Sequence, residues 1–187
     1  MKLGLFGGTF DPPHVGHFLA AVDAADALAL DRLVWVPAAM QPLKEGVGSA
    51  AAAHRLEMAR LAASGDPRFS VDALEMERGG LSFTVDTLRT FRERHPGAAL
   101  FLLLGSDAAA QLPKWREPET VRKLAEVVVL TRGGEDVALP DGVRTLTTRR
   151  VDVSATEIRA RVRAGRSISG FVPDAVAGYI AAHGLYR

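Results

Sequence analysis

Short apolar runs alternate with amphipathic stretches along the whole chain. Residues 2–6, 32–36, 98–104 and 126–131 predict strands, and residues 69–71 and 143–147 predict weaker ones. Leu100-Phe101-Leu102-Leu103-Leu104 and Val127-Val128-Val129-Leu130 are continuous rather than alternating, which suits strands covered on both faces. Helical stretches lie over 16–29, 51–63, 84–94, 117–125, 155–164 and 174–183. Strand and helix in this rhythm predict βαβ units with right-handed crossovers, hence an α/β fold with a mostly parallel sheet. Ligands of such sheets bind beyond the carboxyl ends of the strands, where the strand order reverses. The loops after Phe6, Val36 and Leu104 are therefore the ones to inspect.

Length and composition narrow this further. At 187 residues with 48% hydrophobic side chains, the chain suits one core and one domain over 1–187. No repeat or linker divides it, and residues 43–49 and 133–142 are the expected flexible loops. The 23 basic and 22 acidic residues leave a net charge of +1, so a broad grip on nucleic acid or anionic membrane is not expected. Zero cysteines remove disulfides, thiolate catalysis and cysteine-ligated metals, and fit a cytoplasmic setting. No apolar run reaches the length of a spanning helix, and the start stops at Gly7-Gly8 too soon for a signal peptide. Self-association stays open.

The first loop carries the strongest chemical signal. It reads Gly7-Gly8-Thr9-Phe10-Asp11-Pro12-Pro13-His14-Val15-Gly16-His17, directly before a helical pattern. Two glycines after a buried strand allow a tight turn and close approach to a ligand. The helix N-terminus offers free N–H groups to an anion, and two imidazoles three residues apart share one helix face. A P-loop would need a Gly-Lys-Ser/Thr ending, and a dinucleotide fingerprint would need Gly-x-Gly-x-x-Gly; both are missing. A zinc site would need a further ligand that the pattern does not supply.

A second signal lies near the end of the chain. Ser154 with Glu157 forms a capping box, and Val153 with Ile158 a hydrophobic staple. Arg159 sits early in this helix with no acidic partner in evident reach, an unfavourable place for a cation unless an anion is near. Arg144, Arg149, Arg150, Arg161 and Arg166 crowd the same region and read as a solvated basic face. Trp35 lies inside a strand and reads as core.

The eleven-residue string resembles the signature of the nucleotidyltransferase superfamily, His/Thr-x-Gly-His. Its flank resembles one branch, the bacterial nicotinate-nucleotide adenylyltransferases. Arg78-Gly79-Gly80-Leu81-Ser82-Phe83-Thr84-Val85-Asp86-Thr87-Leu88 is similar to that branch's Arg-Gly-Gly-x-Ser-Tyr-Thr-x-Asp-Thr-Leu block. Leu104-Gly105-Ser106-Asp107, with Leu112 and Trp115 after it, and Val153-Ser154-Ala155-Thr156-Glu157-Ile158-Arg159 continue the match in order. The resemblance implies a Rossmann-like, doubly wound sheet with helices on both faces, and AMP transfer from ATP to nicotinate mononucleotide. It implies catalytic roles for His14, His17 and Arg159. ATP would be held by Gly7, Gly8, Thr9, Phe10, Gly16, Gly105, Asp107, Ser154 and Thr156. The mononucleotide would be held by Lys44, Ser82, Thr84 and Trp115. Mg²⁺ would arrive with ATP, and no dedicated protein metal site is implied.

Some of these assignments have local alternatives. Trp115 could be a loop anchor rather than a stacking platform for a pyridine ring. Asp107 could be a helix cap rather than a ribose acceptor. Leu43 stands where the family usually has His before the basic residue, so whatever that His does is absent or supplied elsewhere. An adenylyltransferase of another specificity (nicotinamide mononucleotide or phosphopantetheine), or a non-catalytic nucleotide-binding or regulatory protein on the same scaffold, are the two rival readings of the whole.

Overall fold

The computed structural model describes residues 1–39, 50–133 and 139–187. Six strands form one parallel sheet: β1 (Lys2–Gly8), β2 (Arg32–Pro37), β3 (Phe69–Val71), β4 (Ala99–Gly105), β5 (Glu126–Arg132) and β6 (Arg144–Thr148). Their order is β3-β2-β1-β4-β5-β6, and every pair is parallel. The two strands expected to be weak, β3 and β6, are the sheet's two edges. Lys44 and the loop 43–49 lie outside the described residues, as do positions 134–138 of the second expected loop. No helix among the described residues is long and apolar enough to cross a membrane.

Alternate side chains of each strand go to opposite faces, and both faces are covered. On one face Phe6, Leu33, Trp35, Phe101, Leu103 and Val128 pack against α1 (Val15–Leu28), α2 (Ala52–Ala63), α7 (Ala155–Arg163) and α8 (Asp174–Ala182). On the other, Leu3, Leu5, Val34, Leu100, Leu102 and Val127 meet α3 (Leu74–Arg78), α4 (Thr84–Arg94), α5 (Ser106–Ala110) and α6 (Pro118–Leu124). This is why β4 and β5 read as unbroken apolar runs: neither face of a central strand sees water. α3, α5 and a 3₁₀ turn over Leu112–Lys114 were not foreseen, because five residues or fewer are too short for a helical period to register.

The chain winds outward from β1 through β2 to β3, then returns to place β4 on the other side of β1. The strand order therefore reverses between β1 and β4, and sheets of this kind bind ligands beyond the carboxyl ends of the strands at that point. β1 ends at Gly8 and β4 at Gly105, so the two glycine-bearing loops singled out from the sequence flank this switch point.

Candidate active site

Two histidines close the first turn of α1. His14 is its N-cap, in extended conformation (φ −134°, ψ 171°). The His14 N–H donates to Nδ1 of His17 at 3.2 Å, and the His17 N–H donates to Nδ1 of His14 at 3.4 Å. This is a capping box in which imidazoles take the places usually held by Ser and Glu. The rings stack with centroids 3.7 Å apart. A Cβ on Gly16 would stand 3.0 Å from Nδ1 of His14 and 3.1 Å from its Cε1, so the stack leaves no comfortable room for a side chain there.

The cap also sets the chemistry of the rings. An Nδ1 that accepts a hydrogen bond carries no proton, so each neutral imidazole has its proton on Nε2 and can donate there. His14 is buried, and its pKa is lowered to about 4, first by that burial and second by the charge of Arg132. It is therefore neutral at pH 7. His17 rests edge-on against Phe6 and Phe10, at 6.1 and 5.3 Å between centroids. Phe10 itself is buried against Phe6 and Trp35, so any contact it makes with a ligand comes from its main chain. Trp35 is core, as its strand position implied.

The rest of the loop is tied down by a buried charge cluster. Asp11 Oδ1 accepts from the Tyr186 hydroxyl at 2.6 Å and from the Ala50 N–H at 3.0 Å. Arg159 donates to the Asp11 carbonyl at 2.7 Å and lies 3.9 Å from Oδ2 of the same residue. Arg55, on α2, is buried and donates to four main-chain carbonyls, those of Thr9, Ala38, Ala39 and Ala50. One guanidinium thus ties the loop after β1 to the loop after β2 and to the start of α2. Burial lowers the Arg55 pKa, and Asp11 and Tyr186 partly offset that.

Arg159 corrects the sequence reading: it does have an acidic neighbour, Asp11, 148 positions away. The Ser154 cap is present, with Oγ accepting from the Glu157 N–H at 3.1 Å, and Ile158 anchors α7 in the core. Thr156 Oγ1 accepts from Arg159 at 3.2 Å. Arg159 therefore joins the α7 N-terminus to the β1–α1 loop. Three of the neighbouring arginines are exposed and paired, Arg149 with Asp23, Arg150 with Asp152 and Arg144 with Glu126, whereas Arg161 donates to the Ser167 carbonyl and lies over the Phe171 ring.

Across the switch point, Gly105 is the N-cap of α5 and Asp107 lies exposed in its first turn, so Asp107 is not the cap. A Cβ on Gly7 or on Gly105 would meet no atom within 4 Å, so packing does not demand glycine at either place. Trp115 is half-buried at the end of the 3₁₀ turn, and the Arg116 guanidinium lies 5.0 Å over the ring of Phe83. That stacking brings the 115 turn beside the 82–84 turn. Ser82 Oγ accepts from the Ala39 N–H at 3.0 Å and donates to Glu75, which also accepts from Thr87. Glu75 is buried, and that burial raises its pKa.

Sequence reasoning missed Arg55, Glu75, Tyr186 and the role of Asp11. α2 carries no clear apolar stripe, so nothing local marked Arg55 as facing inward. Among the described residues no group of three or more His, Cys, Asp or Glu could hold a metal ion.

Comparison with known proteins shows the family. The cytidylyltransferase-like family model matches residues 5–161. A probable nicotinate-nucleotide adenylyltransferase of Gemmatimonas aurantiaca is 53% identical, over 100% of this chain and 93% of its own length. One from Thermus thermophilus is 47% identical over the whole of both chains. The chain belongs to the nicotinate-nucleotide adenylyltransferases of the cytidylyltransferase-like family. A Plasmodium falciparum nicotinic acid mononucleotide adenylyltransferase, solved in complex with NaAD, has the same fold, with a TM-score of 0.82. That likeness covers 99% of this chain and 97% of the other at 19% identity. The doubly wound, Rossmann-like architecture is thus shared well beyond the range of close sequence similarity.

His14 gives this family member a measurable acid response. The unfolded chain takes up the imidazole proton near pH 6.5, the folded protein only near 4. The stabilisation from keeping His14 neutral is complete above pH 6.5 and is lost as pH falls to about 4, a change of roughly 3 kcal/mol. Urea titrations from pH 7 to 4.5 should show a shallower decline for His14→Asn than for the natural protein. NMR titration of His14 should find a midpoint near 4 with Nδ1 unprotonated above it. A midpoint near 6.5 would contradict the buried neutral ring.

Proposed function

We propose that the chain is a cytoplasmic enzyme that transfers AMP from ATP to nicotinate mononucleotide, forming nicotinate adenine dinucleotide and pyrophosphate. The observation that carries this reading is the pair of stacked, mutually capping imidazoles at the N-terminus of α1, at the sheet's switch point, in a chain whose full-length relatives bear this activity in their names. In the reaction an oxygen of the mononucleotide's phosphate attacks the α-phosphorus of ATP in line. The bond from that phosphorus to the bridging oxygen of the β-phosphate breaks, and pyrophosphate leaves. A phosphate monoester is already anionic at pH 7, so the attacking group needs no general base. Catalysis is positioning plus stabilisation of charge on the phosphoryl oxygens.

The roles follow from what each group can donate. His14 and His17 present Nε2–H to the ATP phosphates, with Gly8 and Thr9 adding main-chain or hydroxyl donors and Gly7 and Gly16 leaving the approach open. Ser154, Thr156 and Arg159 hold the β- and γ-phosphates at the α7 N-terminus, and Gly105 and Asp107 take the ATP ribose. On the other side, Thr84 begins an α4 whose N-cap, Phe83, gives no side-chain cap, so its first N–H groups suit the nicotinate carboxylate. The Ser82 hydroxyl is engaged with Glu75 and Ala39, so its part is to hold that turn in place. Trp115 supplies the ring contact, and Lys44 the grip on the mononucleotide's phosphate. Mg²⁺ enters on the triphosphate. Asp11, the carboxylate of the β1–α1 loop, already gives its oxygens to Tyr186, Ala50 and Arg159, so it is poorly placed to serve as a metal ligand.

Two outcomes test the proposal. His17→Ala should lower kcat by about 10²–10³ in a pyrophosphate-release assay, as loss of one donor to developing phosphoryl charge does; near-natural turnover would remove His17 from the chemistry. The enzyme should also prefer nicotinate to nicotinamide mononucleotide by about ten- to a hundredfold in kcat/KM. The amide would leave donors of the 82–84 turn unpaired, at about 1–3 kcal/mol each. Equal kcat/KM for the two would refute the specificity, and no pyrophosphate with either would favour the non-catalytic reading.

A further inference from the structure

We propose that Tyr186 is a positioning residue for ATP, acting through Asp11 on Arg159. The inference rests on the reading that Arg159 grips the triphosphate. Tyr186 follows α8 and lies 175 positions from Asp11, yet its hydroxyl donates to Asp11 Oδ1 at 2.6 Å. The segment that delivers it is held in an unusual backbone path. Tyr186 has φ +63°, the left-handed region that a bulky L residue adopts only under constraint, and Gly184 before it has φ +59°. The Leu185 N–H closes the turn on the Ile180 carbonyl at 3.1 Å, and Leu185 and Tyr186 both pack on the core of the α1/α2 face. The tail is thus shaped to bring one phenol to one carboxylate.

That carboxylate stands among competing cations. The buried Arg55 feels its charge, and Arg159 lies 3.9 Å from Oδ2. Two donors, the phenol and the Ala50 N–H, fix Oδ1, and this sets the rotation of the carboxylate and leaves only Oδ2 toward Arg159. Arg159 is then held through the Asp11 carbonyl at 2.7 Å and a long ion pair, rather than by a close bidentate pair. Such a hold orients the guanidinium and keeps its charge available for phosphate. Burial and Asp11 raise the phenol pKa far above its ordinary value, so Tyr186 stays a donor throughout the working pH range. Without its hydroxyl the carboxylate can turn onto Arg159 and compete with ATP for it.

Tyr186→Phe keeps the ring and removes only the hydroxyl. Titration calorimetry with a non-hydrolysable ATP analogue should show an affinity loss of about fivefold to tenfold, the effect of one hydrogen bond acting through one charged group. The KM for the mononucleotide should change less than twofold. In an Arg159→Ala background the same substitution should change the analogue's affinity less than twofold, because its target is gone. Unchanged affinity in Tyr186→Phe, or an equal loss with and without Arg159, overturns the proposal. If Tyr186→Phe does not fold, Asp11→Asn carries the test: it keeps the Oδ1 acceptor but removes the charge that competes for Arg159, so affinity for the analogue should not fall, and a fivefold or greater loss there overturns the proposal. A natural protein that fails to bind the analogue refutes the adenylyltransferase reading instead, so the two failures are distinct.

Discussion

The closure of the first helical turn by His14 and His17 constrains more of this molecule than any other contact. Each imidazole accepts the other residue's main-chain N–H through Nδ1, which fixes both rings, both tautomers and the start of α1 in a single arrangement. The stack leaves a Cβ at position 16 only a tight fit, 3.0 Å from Nδ1 of His14, and burial keeps the His14 ring neutral. Phe6 and Phe10 pack edge-on against His17 and against Trp35, so the aromatic core of one sheet face continues directly into the β1–α1 loop. Packing, capping and protonation state here are one interaction seen in three ways.

Around that pair the fold brings helix starts to the edge of the sheet where β1 and β4 part. α1, α5 and α7 begin with N-caps His14, Gly105 and Ser154, and each offers N–H groups where an anion is useful. Loops arranged this way have little packing of their own, so buried charges hold them. Arg55 joins the loops after β1 and β2 through main-chain carbonyls, and Asp11 joins the first of them to α7 and to the segment after α8. A buried guanidinium with four carbonyl partners is costly to leave unpaired, which makes the arrangement specific as well as firm.

The sequence made the sheet legible because hydrophobic burial writes a local pattern. β4 and β5 are unbroken apolar runs, and their side chains divide between the two cores as a doubly covered sheet requires. The first loop and the Ser154 cap were legible for the same reason: turn chemistry and capping act over three or four residues. Arg55, Glu75 and Tyr186 were not, since their partners lie 5 to 175 positions away and no period links them. Arg159 shows the limit clearly. Its place early in a capped helix was readable, but its acidic neighbour came from the other end of the chain. Lys44 keeps only its sequence support, because it lies outside the described residues.

The most direct test of the account is a crystal structure with Mg²⁺ and a non-hydrolysable ATP analogue. Phosphate oxygens should lie within hydrogen-bond distance of Nε2 of both His14 and His17, with the terminal phosphates at the α7 N-terminus beside Arg159. A triphosphate bound elsewhere, or histidines whose Nδ1 atoms have left the main chain to meet it, would contradict the claim that the cap itself prepares the donors.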